Sequence, residues 1–217
     1  MPNHLRFLGA ALALFAAACH ASQDAAKPPS AAKPAAAAPA APSAAPAASA
    51  LPRYMQTAAN SALKFAFEQA GASAVGSFRK FSTTLVYDEK NLAASSLDVR
   101  VDMASVDTQE PERDGMIKDA DLFNTAKFPA ATFKSSSIAK RADGSLEAAG
   151  KLTIRGVTHD VRLPLTLKPT ATGFQLSGKF AFKRLDYGVG QGEWKATDSV
   201  GNDVKVDYSV SLAKGGS

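Results

Sequence analysis

Between Leu146 and Leu167 the chain reads LEAAGKLTIRGVTHDVRLPLTL, and its residues alternate in character almost one for one. Leu146, Ala148, Gly150, Leu152 and Ile154 interleave with Glu147, Ala149, Lys151, Thr153 and Arg155. After a turn read at Gly156–His159, Val161, Leu163, Leu165 and Leu167 fall on one side. Arg162, Pro164, Thr166 and Lys168 fall on the other. A period of two sends successive side chains to opposite faces of a strand. The segment is therefore an antiparallel hairpin with one apolar and one polar face. Such a face must be hidden, either in a packed core or around a cavity.

The same alternation recurs along the later chain. It is carried by Leu63, Phe65 and Phe67, then by Leu97, Val99, Val101 and Met103. Phe174, Leu176, Gly178, Phe180 and Phe182 form another run, and Val204, Val206, Tyr208, Val210 and Leu212 the last. Less regular candidates lie at 75–81, 83–87 and 131–138. The total is about eight strands, and one helix is expected between Pro111 and Phe123. There Pro111 suits a first turn, Asp107 and Glu110 suggest a capping box, and Met116, Ala120 and Phe123 form an apolar stripe. Long antiparallel strands with one apolar face close into a sandwich or a barrel. The expectation is all-β: an eight-stranded antiparallel barrel, lipocalin-like, with a short helix near one end. An outer-membrane barrel is disfavoured, because the phenylalanines sit within the strands and not in girdles at their ends.

The N-terminus reads differently. Arg6 precedes an apolar run from Phe7 to Ala18, too short to span a bilayer and suited to an export signal. Cys19, the only cysteine, follows the small residues Ala16-Ala17-Ala18 and resembles the lipidated cysteine of a bacterial lipobox. From Ala21 to Pro52 half of the residues are alanine and seven are proline. That composition gives a disordered, semi-rigid linker that could reach ~100 Å if fully extended as polyproline II. The expected division is 1–19 signal and lipobox, 20–52 linker, 53–214 barrel, with the chain exported to the periplasm or cell envelope and anchored to a membrane through Cys19.

Chemistry is sparse in the barrel region. His159 is its one histidine and it has no cysteine, so zinc, haem-histidine and Cys-His arrangements lack their parts. His159 beside Asp160 reads as solvated turn, and Gly188-Val189-Gly190-Gln191-Gly192 lacks the lysine and following helix of a phosphate loop. A net charge of +5 with interspersed signs gives no nucleic-acid footprint. Ten of the twelve phenylalanines lie in this region, as filling for a core or lining for an elongated apolar pocket.

Several segments together resemble the YceI-like family. Gly150-Lys-Leu-Thr-Ile-Arg-Gly-Val-Thr158 resembles its signature hairpin, and Val75-Gly76-Ser77-Phe78 its early strand. Ser105-Val106-Asp107-Thr108 with Arg113-Asp114, and Asp121-Leu122-Phe123-Asn124 with Phe128-Pro129-Ala130-Ala131-Thr132-Phe133, follow in the family's order. Arg184-Leu185-Asp186-Tyr187-Gly188 resembles its late turn, with tyrosine in place of phenylalanine. The resemblance implies a periplasmic barrel that encloses a polyisoprenoid or isoprenoid-quinone amphiphile, without catalysis and with no cofactor besides that ligand. The candidate cavity residues are then Phe65, Phe67, Phe78, Val99, Val101, Met103, Phe123, Phe133, Leu152, Ile154, Leu163, Leu165, Phe180, Phe182, Tyr187 and Trp194. Arg113, Asp119 and Asp121 are candidates for a headgroup at the mouth. An enzyme acting on such a lipid and a fully packed structural protein are the rival readings. A homodimer is compatible with either.

Overall fold

The computed structural model describes residues 51–215. The export signal, Cys19 and nearly all of the Ala/Pro-rich segment lie outside them. Eleven strand segments form one antiparallel sheet: β1 (Arg53–Gln56), β2 (Ala62–Gln69), β3 (Ala72–Phe78), β4 (Phe81–Val86), β5 (Ser96–Asp102), β6 (Val106–Asp107), β7 (Ala130–Lys140), β8 (Leu146–Ile154), β9 (Val157–Pro169), β10 (Gly173–Lys183) and β11 (Asp203–Lys214). One helix, α1 (Pro111–Lys118), interrupts them.

The pairings reduce the eleven segments to eight staves. β2 and β3 form a hairpin, and β1 and β4 continue its two arms. β5 pairs with β4, and its continuation β6 pairs with β3. β7, β8, β9, β10 and β11 then follow, each beside its predecessor. β11 returns to the first stave through β1 at Tyr54↔Lys214 and through β2 at Phe65↔Val206. The sheet is thus a closed up-and-down barrel of eight staves. Closure removes the free edges that an open sheet exposes.

The β8–β9 connection is tighter than the sequence suggests. Arg155 (φ 51°) and Gly156 (φ 75°) alone make the turn, and Ile154 pairs directly with Val157. Two successive positive φ values match the twist of the flanking strands. His159 therefore lies in a strand. It shares the inward parity of Val161 and Leu163 but sits near the barrel rim, where it stays exposed.

Helix α1 is short, as expected, and stops before Phe123. Asp119 turns extended (ψ 168°) and its N–H bonds Met116 O, which ends the helix at Lys118. Glu110 is the N-cap residue and makes no side-chain cap. Asp114 instead reaches back to the N–H and hydroxyl of Thr108, at 2.8 and 2.7 Å. Asp107 is engaged elsewhere, with Arg79 at 2.7 Å and the N–H of Gln109. Met116 and Ala120 of the expected stripe are exposed, Met116 at the edge of the interior, and Ile117 is the residue that α1 buries.

Candidate functional site: an apolar cavity with one blind end

Inward-facing side chains do not fill the barrel. A cavity remains, with about 200 Å³ in which the centre of a water-sized sphere can move. Its wall is built by parity. Phe65 and Phe67 come from β2, Phe78 from β3, and Val99 and Val101 from β5, with Met103 just beyond. Phe133, Leu152, Ile154 and Leu163 line it from β7, β8 and β9, and Phe180 and Phe182 from β10. Phe123 and Trp194 reach it from outside the strands. Fourteen of the sixteen candidate cavity residues therefore meet around one space.

Leu165 and Tyr187 do not line it. Leu165 pairs with Leu146 at the end of β9 far from the turn, and is buried in the packed plug beyond the cavity. That plug contains Leu85 and Leu212, which are fully buried. Phe174 packs edge-on between Tyr54 and Tyr87, at 4.9 and 5.4 Å between ring centroids, in the same part of the barrel. The plug makes this end blind. Tyr187 is held edge-on between His159 (4.9 Å) and Phe182 (5.3 Å). It seals the wall where β9 and β10 diverge, since these strands pair only over Thr166–Pro169 and Phe174–Ser177.

The other end, beneath α1, is the mouth. Met116 is 40% exposed and yet lines the cavity, so the space reaches the surface there. Arg113 also lines it, with Glu110 3.9 Å away. Asp119 and Asp121 do not. Their side chains are exposed, and their backbone carbonyls do local work. Asp119 O accepts from Leu122 and Asn124, and Asp121 O from Gly190 and Gln191. Among the described residues the lining holds three cations, Lys64, Arg113 and Arg184, and no acid.

Arg184 anchors the floor of the mouth. It is 3% exposed, and among the described residues it pairs with no carboxylate. Its Nε donates to Gly201 O, Nη1 to Val189 O and Trp194 O, and Nη2 to Ala196 O and Val200 O. Burial pushes its pKa down from the ordinary arginine value, and the five carbonyls hold the guanidinium in place. The glycine-rich segment serves this cage. A Cβ on Gly190 would overlap the Arg184 guanidinium. Arg184 was legible only as a motif letter. The alternation Phe180, Phe182, Arg184 already gave it inward parity.

Tyr208 lies on the wall opposite the mouth loops. Burial raises the pKa of its phenol, and its hydroxyl donates to Pro164 O across the β9–β10 gap. His159 bonds the backbone carbonyl of Asp186 at 3.0 Å. Asp160 points away from it, to Lys151 at 3.1 Å.

Comparison with known proteins agrees with this architecture. The family model described as YceI-like domain matches residues 54–212. Protein YceI of Escherichia coli (strain UMN026) is 40% identical over 116 residues, half of this chain and 60% of that protein. Protein YceI of Salmonella arizonae is 39% identical over the same length. The match thus spans less than two thirds of these curated relatives. The crystal structure of Burkholderia cenocepacia BcnA superposes with a TM-score of 0.69 at 30% identity, covering 73% of this chain and 99% of that one. A Campylobacter jejuni YceI protein superposes at 0.57 with 26% identity, covering 65% and 85%. A Saccharophagus degradans polyisoprenoid binding domain shares the fold at 0.61 with 18% identity, covering 76% and 99%. With the match running from β1 to the last stave, this chain belongs to the YceI-like family.

Proposed function

We propose that this protein binds and carries a long-chain amphiphile of the polyisoprenoid or isoprenoid-quinone type in the bacterial cell envelope. The observation that carries this reading is the cavity itself: apolar, walled by aromatic rings and closed at one end. Moving a hydrocarbon chain from water into such a space is favourable by about 0.8 kcal/mol per CH₂. The polyisoprenoid binding described for the Saccharophagus domain points the same way. A binding role asks for no acid, base or nucleophile at the cavity wall. The lining supplies hydrocarbon and cations.

The test is native mass spectrometry and solvent extraction of the purified full chain. The expected result is a co-purifying lipid, together with a higher melting temperature when a prenyl quinone is added back. Recovery of no lipid, with no thermal gain, overturns the reading. The anchor at Cys19 and the Ala/Pro-rich tether complete the proposal and place the barrel within reach of a membrane. Cys19→Ser is expected to shift the protein from the membrane to the soluble fraction on cell fractionation. Unchanged membrane association rejects lipidation.

A further inference from the structure

Thr83 stands on the inward face of β4, between Phe81 and Leu85 in its alternation. It is 3% exposed and lines the cavity. Its Oγ1 has no hydrogen-bond partner among the described residues. Around it the barrel is hydrocarbon. Val99 lies directly opposite on β5, Phe133 lies opposite Val99 on β7, and Leu85 begins the plug. A second orphan lies beside it. The β1–β4 register pairs Tyr54 with Leu85 and Met55 with Thr84, so one further step sets Gln56 against Thr83 on the same face. Gln56 is half-buried behind the cavity lining, and its Oε1 is an inaccessible atom without a partner among the described residues. Leaving a buried polar atom unpaired is destabilising, and native proteins keep few such atoms without a use.

We infer that Thr83 and Gln56 form a recognition site at the blind end for a neutral hydroxyl on the ligand, which therefore enters head first. The inference rests on the lipid-binding reading and adds an orientation and a headgroup class to it. The two orphans set the chemistry. Gln56 Oε1 can only accept, and the Thr83 hydroxyl can donate. A hydroxyl such as that of a prenyl alcohol, phenol or quinol accepts from Thr83 at the cavity wall and directs its own O–H toward Gln56 behind it. A charged head does not fit. Arg113 lies at the mouth, and Arg184 is saturated by backbone carbonyls. Lys64 sits on the outward parity of β2, opposite Asp207 and Ser77. Among the described residues, the cavity lining offers no further charge near Thr83.

The experiment compares two probes that differ by one oxygen, 4-decylphenol and decylbenzene, on the full chain after lipid extraction. Dissociation constants are measured for wild type, Thr83→Val, Thr83→Ser and Arg113→Ala. Wild type is expected to bind the phenol more tightly. Thr83→Val, which keeps the shape and removes the hydroxyl, is expected to weaken the phenol about tenfold and leave decylbenzene unchanged or tighter; a factor of ten equals about 1.4 kcal/mol, the size of one hydrogen bond. Thr83→Ser restores the hydroxyl and the preference for the phenol, which separates recognition from packing. An unchanged phenol-to-hydrocarbon ratio in Thr83→Val overturns the inference while leaving lipid binding intact. So does a loss of phenol affinity confined to Arg113→Ala, which places the head at the mouth. Failure of wild type to bind either probe overturns the lipid-binding reading and this inference with it.

Discussion

Arg184 carries its charge into the barrel with no carboxylate partner among the described residues, and that isolation decides what its removal does. Each of its five N–H groups meets a carbonyl of the 189–201 segment. Arg184→Met keeps the hydrocarbon stem and leaves five carbonyl acceptors that only entering water could satisfy. The expected loss is about 3 kcal/mol or more, read as a lower urea midpoint, because orphaned buried acceptors bear their full desolvation cost. Arg184→Lys offers three donors in place of a planar fork and is expected to fall between the two. Parity announced that this side chain points inward. The cage could not be read, since its five carbonyls belong to a loop without periodicity.

The β9–β10 seam shows how one element's sequence answers another's gap. These strands hydrogen-bond over four register pairs and then part. Tyr208, on the far side of β10, passes over Gly178 to reach Pro164 O. Proline has no N–H to offer a neighbouring strand, so its carbonyl is the group left to satisfy there. A Cβ on Gly178 would overlap both the Tyr208 hydroxyl and Pro164 O. Gly178→Ala is therefore expected to break this bond and destabilise the barrel by about 1–3 kcal/mol. Hydrogen exchange should rise locally along 161–165 and 178–182; protection equal to wild type would refute the seam as described. The alternation located both strands correctly. It did not show the gap, because a period of two reports which face a residue takes and nothing about which neighbour a strand keeps. The turn was misjudged for a related reason. Val157 and His159 continue the inward parity, but their exposure at the rim disguises them as loop.

The closed barrel and its short helix were legible in the sequence, and so was a part of the cavity lining. The barrel and its inward strand residues follow from a strand period repeated often enough that one face must be hidden, and the helix from the break in that period at Pro111. Leu165 and Tyr187 fell outside the cavity because depth along the barrel axis is not encoded by parity. Leu163 lines the space, and Leu165, one inward step on, plugs it. Thr83 escaped notice for the opposite reason. It obeys the period but not the polarity, and only its missing partner in three dimensions gives it meaning.

The ring closes where Tyr54 meets Lys214, so the first strand waits for the last. Every other pairing joins staves that follow each other in sequence. This one contact spans the whole domain and bears the largest loop-closure entropy. Until it forms, the unpaired sides of β1, β2 and β11 are open templates for other chains. The cavity has no inside until the final strand arrives, so the apolar interior and the closed ring come into being in the same step.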